Sequence, residues 1–242
     1  MSKDPKKMEE TKVSAPSAFY NVEGETKVTC DGVPHWDQLG KLCFITWRLS
    51  DSLPESKLQE FRMLRKEWIQ KNPKPWTVEQ EQAYREAFHD KIDSCLDQGA
   101  GDCIFKHAEA RKVFEDVLLE MNEDAFQLEA YVIMPNHVHL LLRLDAPLSE
   151  VMKRLKGKSS RCLNLHLGKS GKLWQRSFYD TLIRSSRHLR FVLAYIHRNP
   201  EKLSPSTYSL WFNSEEWRLQ SPRNISERPE IYFQEIIEKY AL

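Results

Sequence analysis

The sequence predicts an α+β protein in which helices pack on a single antiparallel sheet of the ferredoxin-like, or RRM-like, type. The patterns of β formers and of apolar residues at helical spacing follow the order strand, helix, strand, strand, helix, strand, which is that of a split β-α-β unit. The chain of 242 residues is also 40% hydrophobic and 11% aromatic, which is typical of a globular protein with a substantial core.

The strands are predicted from runs of β-branched, aromatic and aliphatic residues. The first covers residues 42–49, and residues 34–37 are expected to lead into it. Residues 125–134 and 137–144 form a hairpin around a Pro-Asn pair, which favours a turn. A last strand is predicted over residues 173–184.

The helices are predicted from apolar spacing and from capping residues. One runs over about 54–70, a second opens with a capping box at Thr77 and ends near Leu96, and a third covers 107–121. The second and third of these helices are expected to form an inserted helical pair between the first two strands of the sheet, within a helical insertion of about residues 54–121.

Three further helices follow the hairpin. Ser149 is expected to cap a basic helix. Another helix runs from Ser186 to Asn199 and stops at Pro200, because proline disfavours helix at the residue before it. A final helix over 229–242 has apolar residues spaced to dock on the body.

Composition excludes some classes of protein. No apolar run approaches the roughly 18 residues that span a membrane, and no apolar segment resembling a secretory signal follows the N-terminus. The five cysteines are odd in number, scattered and without a Cys-x-x-Cys pair, so neither a disulfide framework nor a zinc knuckle is favoured. We therefore expect a cytoplasmic protein.

Charge is distributed unevenly along the chain. The net charge is +1, but residues 132–200 hold 13 Lys and Arg against 3 Asp and Glu, about +10, while the remainder carries about −9. Such a concentration of positive charge favours a polyanion as partner, and nucleic acid is the first candidate.

The centre of this basic region holds a His-x-His pair. His137 and His139 are two residues apart in a predicted strand, so both imidazoles point to one face while Val138 and Leu140 point to the other. Paired imidazoles on a strand can bind a divalent metal, although structural histidines are common. A second pair, Tyr195 and Asn199, shares one face of the predicted helix at i and i+4. Tyr195 is either a core residue or a nucleophile, and the residues alone leave both open.

Several motifs resemble those of one family. They are YVIMPNHVHLLL at residues 131–142, WQRSFYD at 174–180, YIHRNP at 195–200, PHWD at 34–37, WRLSDSLP at 47–54 and LDQG at 96–99. Taken in their order along the chain, they are similar to those of the REP-associated tyrosine transposases, domesticated relatives of the single-tyrosine HUH transposases that move insertion sequences as single strands. The resemblance spans most of residues 33–203.

The resemblance implies an HUH nuclease core and a specific chemistry. His137 and His139 match the metal ligands, which hold Mg²⁺ or Mn²⁺, and Asn199 matches the third. Tyr195 matches the nucleophile that attacks a DNA phosphodiester, forms a 5′-phosphotyrosine and releases a 3′-hydroxyl. The implied substrate is single-stranded DNA folded into imperfect palindromic hairpins.

Composition without periodicity predicts a flexible N-terminal arm over 1–29, the resemblance implies the HUH transposase domain over 30–203, and a C-terminal extension with a docking helix is expected over 204–242. After Asn199-Pro200 the chain departs from a basic-Ala-Gly-apolar sequence found in many relatives. Some relatives are dimers that complete each site with the partner's tyrosine helix; the longer chain here favours a monomer. A nucleoid-associated location in the cytoplasm follows from a DNA substrate.

Basic residues are expected to grip the hairpin backbone, since phosphate contacts position DNA without reading its sequence. The predicted set is Lys153, Arg154, Lys156, Lys158 and Arg161 on the basic helix, with Arg176 and Arg184 nearer the active site. His35 and Trp36 belong to a segment that either reaches DNA or covers the sheet.

Two other functions compete with this interpretation. One is a DNA hairpin-binding protein with vestigial catalysis. The other is an unrelated zinc hydrolase, which would need a further acidic or histidine ligand; the Leu-Leu-Leu-Arg-Leu run after His139 offers none.

Overall fold

The structure is a computed structural model that describes residues 17–30, 34–73, 77, 80, 83, 84, 87 and 90–213. Its centre is an antiparallel sheet, as predicted, with five strands where four were predicted. The strands and helices, numbered in chain order, are β1 (Lys27–Cys30), β2 (Pro34–Asp37), β3 (Leu42–Arg48), α1 (Glu55–Lys71), α2 (Asp90–Asp97), α3 (Ala108–Met121), β4 (Phe126–Ile133), β5 (His137–Leu144), α4 (Leu148–His166), β6 (Tyr179–Leu182), α5 (Ser186–Arg198) and β7 (Ser209–Phe212).

The order of strands confirms the ferredoxin-like topology. The sheet runs β6-β3-β5-β4-β7, and every neighbouring pair is antiparallel. The first four of these strands, taken in chain order as β3, β4, β5 and β6, have the arrangement 4-1-3-2 of a split β-α-β unit. β7 was not predicted, although the Ser-Leu-Trp-Phe run that forms it is rich in β formers.

The two faces of the sheet are covered by different helices. On one face α3 and α4 bury the side chains of Ile45, Val138 and Leu140. On the other face, hereafter the α5 face, α5 packs its apolar side chains against Phe44 and Leu141. This alternation follows from the two-residue period of a strand, and it confirms that Val138 and Leu140 point away from the histidines.

The start of α4 differs from the prediction. Ser149 lies inside the helix, which begins at Leu148 without a capping hydrogen bond from its own N-terminal side chains. Instead, Asp37 Oδ2 accepts a hydrogen bond of 3.0 Å from the Leu148 amide. The cap comes from β2, 111 residues earlier, so local sequence could not reveal it.

The segment 173–184 is a strand only over β6. Trp174 forms an isolated bridge with Leu49 and buries its indole among Trp47, Phe105 and Phe114. The next carbonyls are held by Lys156, whose Nζ donates to Gln175, Arg176 and Ser177. Because these three carbonyls accept hydrogen bonds from a lysine side chain, they do not extend the pairing of β6 with β3.

The described residues near the N-terminus contact the rest of the domain. Pro34–Asp37 pairs with Lys27–Cys30 as a separate two-stranded sheet, so these residues do not extend β3. The Tyr20 amide donates to the Ile183 carbonyl at 2.8 Å, and Phe19 packs against the core of the α5 face. Residues 17–29 of the predicted arm are thus in contact with the body, whereas 1–16 lie outside the described residues.

The helical insertion is present in part. Thr77 and Gln80 make both hydrogen bonds of the predicted capping box, at 3.0 and 3.2 Å. Tyr84 contacts α1, since its hydroxyl accepts a 2.7 Å bond from Arg65 and its ring meets Trp68 edge-on. The predicted C-terminal helix lies outside the described residues. Within the described part of the chain, no helix is long and apolar enough to cross a membrane.

Candidate active site

Strand β5 presents the two histidines on the α5 face. His137 and His139 are 1% and 0% exposed, and their ring centroids are 4.9 Å apart. In the register of the sheet, His139 pairs with Thr46 and His137 pairs with Arg48. The pair is therefore held on a central strand, between two neighbours that fix its backbone.

Each imidazole has a hydrogen-bond partner at Nδ1. His137 Nδ1 lies 2.8 Å from Asn136 Oδ1, and His139 Nδ1 lies 2.7 Å from Thr46 Oγ1. A partner at Nδ1 fixes the orientation of a metal-binding histidine and leaves Nε2 available as the ligand atom. Both rings are held in this way.

Burial keeps both histidines neutral. It lowers the pKa of His137 to about 3, with the side chain of Asn199 acting in the opposite direction. Burial, and then the proximity of His137, hold the pKa of His139 well below its ordinary value. A neutral imidazole has a lone pair to donate, so neither ring must lose a proton near pH 7 before it can bind a metal.

Helix α5 brings Tyr195 and Asn199 to the same place. The ring of Tyr195 meets that of His139 edge-on, with centroids 5.1 Å apart, and meets that of Phe44 edge-on at 5.8 Å. Phe44 also stacks on His139 at 5.8 Å. Asn199 follows the last residue of the helix, where its backbone N–H donates a hydrogen bond to the Tyr195 carbonyl at 3.0 Å. The side chain of Asn199 is also close enough to His137 to oppose the lowering of its pKa, so the predicted catalytic tyrosine and the three predicted ligands converge.

Three polar atoms at this point have no hydrogen-bond partner. They are Nε2 of His137, Nε2 of His139 and Oδ1 of Asn199, and all are buried. Buried polar atoms are nearly always paired, so three such atoms together need an explanation. Two imidazole nitrogens and an amide oxygen can bind a divalent metal ion. Only the amide oxygen is of the type that Mg²⁺ and Mn²⁺ prefer, so the residues present are compatible with these ions but do not select them over other transition metals. Among the described residues, no group of three or more His, Cys, Asp or Glu could hold a metal, so the amide is needed.

The predicted DNA-binding residues of α4 lie on the helix across the sheet from the α5 face. Arg154 forms an ion pair with Asp124, and Lys158 forms one with Glu120. Lys156 is occupied by the three carbonyls of residues 175–177, at 2.8, 2.7 and 3.4 Å. Lys153 and Arg161 are exposed.

The two remaining arginines lie at opposite ends of β6. Arg176 is exposed and precedes Tyr179, which pairs with Thr46 beside the histidines. Arg184 is also exposed but follows Leu182, which pairs with Cys43 at the other end of β3. Arg176 is thus the one that lies at the histidine end of the strand.

The PHWD motif has a structural role in the described residues. His35 is buried, stacks on Phe178 with centroids 4.0 Å apart and is hydrogen-bonded through Nδ1 to the Asp180 carboxylate. Asp180 is itself buried, and burial raises the pKa of its carboxyl while His35 opposes that rise. Trp36 points outward and is 47% exposed. Of the pair, His35 covers the sheet, as one of the two predicted alternatives stated.

Sequence analysis missed three residues that shape the site: Phe44, Thr46 and Asn136. Phe44 and Thr46 lie on a strand more than 90 residues before His139, and only the register of β3 with β5 brings them together. Asn136 directly precedes the histidine pair, and its place in the turn gave a signal for turn formation but none for a ligand contact.

Comparison with known proteins supports the resemblance inferred from the sequence motifs. Residues 104–199 match the family model described as "Transposase IS200 like". The chain resembles the REP-associated tyrosine transposases. A protein of Haemophilus influenzae provisionally described as one of them is 36% identical over 90 residues, which cover 32% of this chain and 51% of the relative. The chain thus spans about half the length of the curated relative that it matches.

A solved structure of a REP-associated tyrosine transposase bound to a REP hairpin is also similar. The structural match covers 68% of this chain and 69% of the other chain, with 17% sequence identity and a TM-score of 0.37. All four residues assigned by resemblance, His137, His139, Tyr195 and Asn199, lie inside the segment that matches the IS200-like transposase model.

Proposed function

We propose that this protein is a metal-dependent endonuclease and strand transferase that acts on single-stranded DNA at palindromic hairpins. The observation that supports this most directly is the convergence of Tyr195 with His137, His139 and Asn199, whose three candidate ligand atoms are buried and unpaired. The match to the IS200-like transposase model supports the same reaction class.

The metal would be held by Nε2 of His137, Nε2 of His139 and Oδ1 of Asn199. When bound, Mg²⁺ or Mn²⁺ would polarise the phosphodiester and stabilise the negative charge that develops on it. The neutral state of both imidazoles, which burial favours, suits this role. A zinc hydrolase is disfavoured, because such sites use further His, Cys or carboxylate ligands and no such cluster occurs in the described ranges.

Tyr195 would act as the nucleophile. Its hydroxyl oxygen forms a bond to phosphorus while the bond from phosphorus to the 3′ oxygen breaks. The tyrosine proton is lost and the 3′ oxygen gains one, which leaves a 5′-phosphotyrosine and a 3′-hydroxyl. Because the covalent bond retains the energy of the phosphodiester, attack by a 3′-hydroxyl can reverse the step and join strands. Phe44 and His139 hold the phenol ring on two sides.

The basic residues would bind the phosphates of the hairpin. Arg176 is favoured near the site, because it is exposed at the histidine end of β6. Lys153 and Arg161 are exposed and form no ion pair with another described residue, whereas Arg154 and Lys158 would have to exchange a carboxylate partner for a phosphate. Arg184 would contact a more distant part of the substrate.

A monomer would suffice for this chemistry. Tyr195 and His139 of the same chain are in contact, so the tyrosine helix of a second copy is not needed. A dimer remains the competing arrangement, and it would exchange α5 between subunits.

The test uses labelled single-stranded hairpins from repeats flanking the gene. The wild type and Tyr195→Phe are incubated with Mn²⁺ or EDTA, and a denaturing gel is examined for a protein-linked DNA band. We expect a metal-dependent band that Tyr195→Phe abolishes and that the control Tyr208→Phe retains. Tight binding without any band would instead indicate a hairpin-binding protein with vestigial catalysis. Cleavage that survives loss of Tyr195 would mean that water is the nucleophile.

A further inference from the structure

Asn136 is a fully buried residue that connects three parts of the chain. It is 1% exposed and lies in the turn between β4 and β5, where its backbone carbonyl accepts a 2.8 Å bond from the Leu49 amide. Its side-chain Nδ2 donates to the carbonyls of Leu96 and Ala100 at 3.1 and 3.2 Å. Its Oδ1 faces His137 Nδ1 at 2.8 Å.

These contacts determine how the amide is oriented. Two carbonyl oxygens can be satisfied only by an NH₂ group, so the nitrogen faces Leu96 and Ala100 and the oxygen faces His137. An amide oxygen only accepts hydrogen bonds, and His137 Nδ1 must therefore carry the proton. The lone pair of the neutral ring is then on Nε2, the atom left without a partner.

The turn that anchors Asn136 is itself rigidly held. It follows α2 and contains Gly99 and Gly101, with φ values of +70° and +84°. A Cβ added at Gly101 would lie 2.8 Å from the backbone oxygen of Asp51. The Asp51 carboxylate accepts a 2.8 Å bond from the Asp102 amide, which ties the turn to the end of β3. This turn lies inside the helical insertion, between α2 and α3.

We propose that Asn136 is a positioning residue that presets His137 for metal binding and couples it to the turn that follows α2 in the helical insertion. A displacement of that turn would move the Leu96 and Ala100 carbonyls, rotate the amide and change the orientation of the His137 ring. The helical insertion would thus influence metal affinity without contacting the metal. This inference rests on the proposed function, because it assumes that His137 is a ligand.

The first test measures Mn²⁺ binding by calorimetry on the full chain without DNA. We expect Asn136→Leu to lower the affinity by about 10- to 100-fold, the range for residues that orient a metal ligand. Asn122→Leu is the matched control, because Asn122 Oδ1 also accepts a hydrogen bond, from the backbone amide of Leu128 at 2.7 Å, but lies away from the site. Wild-type Mn²⁺ affinity in a folded Asn136→Leu variant would overturn the proposal.

The second test addresses the link, and its first comparison leaves Asn136 unchanged. Gly101→Ala forces the turn to shift, so it should weaken Mn²⁺ binding several-fold while all site residues are retained. In the Asn136→Leu background the same change should add nothing; equal effects in both backgrounds would refute the coupling. Nitrogen NMR of metal-free wild type should show His137 protonated at Nδ1. A wild type that binds no Mn²⁺ would contradict the proposed function itself, which is a distinguishable result.

Discussion

The ring of Tyr195 lies edge-on to the imidazole of His139, with centroids 5.1 Å apart and an interplanar angle of 88°. One residue comes from α5 and the other from β5 of the same chain. Their contact joins the proposed nucleophile to the proposed metal ligands within one molecule, and it makes the arrangement of subunits testable.

Mixing two inactive variants tests whether the site is completed within one chain. Tyr195→Phe retains the candidate ligands, whereas His137→Ala retains the tyrosine. If each site is built from one chain, we expect each variant alone and their equimolar mixture to form no covalent DNA adduct. The adduct is measured on a denaturing gel beside the wild type. Recovery of about a quarter or more of wild-type adduct in the mixture would show that α5 is exchanged between subunits.

Acid should destabilise the metal-free protein through the buried histidines. The folded-state pKa of His137 is about 3, below the ordinary value of about 6.5. Between these two pH values, His137 is therefore protonated in the unfolded chain and neutral in the folded chain. The free energy of unfolding is then unaffected above pH 6.5 and falls by at most about 1.4 kcal/mol per pH unit for each such histidine as the pH drops below it.

Urea denaturation in EDTA between pH 7 and 4 measures this dependence. We expect His137→Gln to flatten the pH dependence, and His166→Gln, an exposed histidine on α4, to leave the slope as it is in the wild type. Identical slopes in the wild type and His137→Gln would mean that His137 titrates normally in the folded state.

The cap of α4 should depend on Asp37 rather than on Ser149. Asp37→Ala removes the acceptor of the Leu148 amide and should cost about 1–2 kcal/mol in the free energy of unfolding. Asp37→Asn keeps an acceptor and should recover part of that loss. Ser149→Ala should change the free energy by less than about 0.5 kcal/mol. A Ser149→Ala variant as unstable as Asp37→Ala would show that Ser149 caps α4, as the sequence predicted.

Lys156 and Lys153 lie one turn apart on α4, but we expect Lys156 to stabilise local structure and Lys153 to bind DNA. Lys156 holds the carbonyls of residues 175–177, so Lys156→Met should speed amide hydrogen exchange over residues 174–178. Lys153→Met should leave that exchange unchanged. If Lys153 contacts a phosphate, its loss should instead reduce the slope of log affinity against log salt for a hairpin by about 0.7–0.9. Faster exchange of residues 174–178 in both variants would contradict the distinction.

The sequence alone determined what depends on local periodicity. The two-residue period of a strand placed His137 and His139 on one face and Val138 and Leu140 on the other, and helical spacing aligned Tyr195 with Asn199. Binary patterns also predicted β3, β5 and α5 to within a residue or two. The resemblance to a family then assigned roles to four residues that the structure brings together, although their catalytic roles stay predictions.

Only the tertiary structure decided the contacts between distant parts of the chain. Thr46 and Phe44 reach His139 through the register of β3 with β5, and Asp37 reaches Leu148 across 111 residues. The basic residues of α4 look equivalent in sequence, yet Lys156 binds backbone carbonyls while Arg154 and Lys158 bind carboxylates. Propensity and period act over a few neighbouring residues, whereas strand register and capping across elements depend on which surfaces pack together. The chemical groups of the site can therefore be predicted from the sequence, and the residues that orient them cannot.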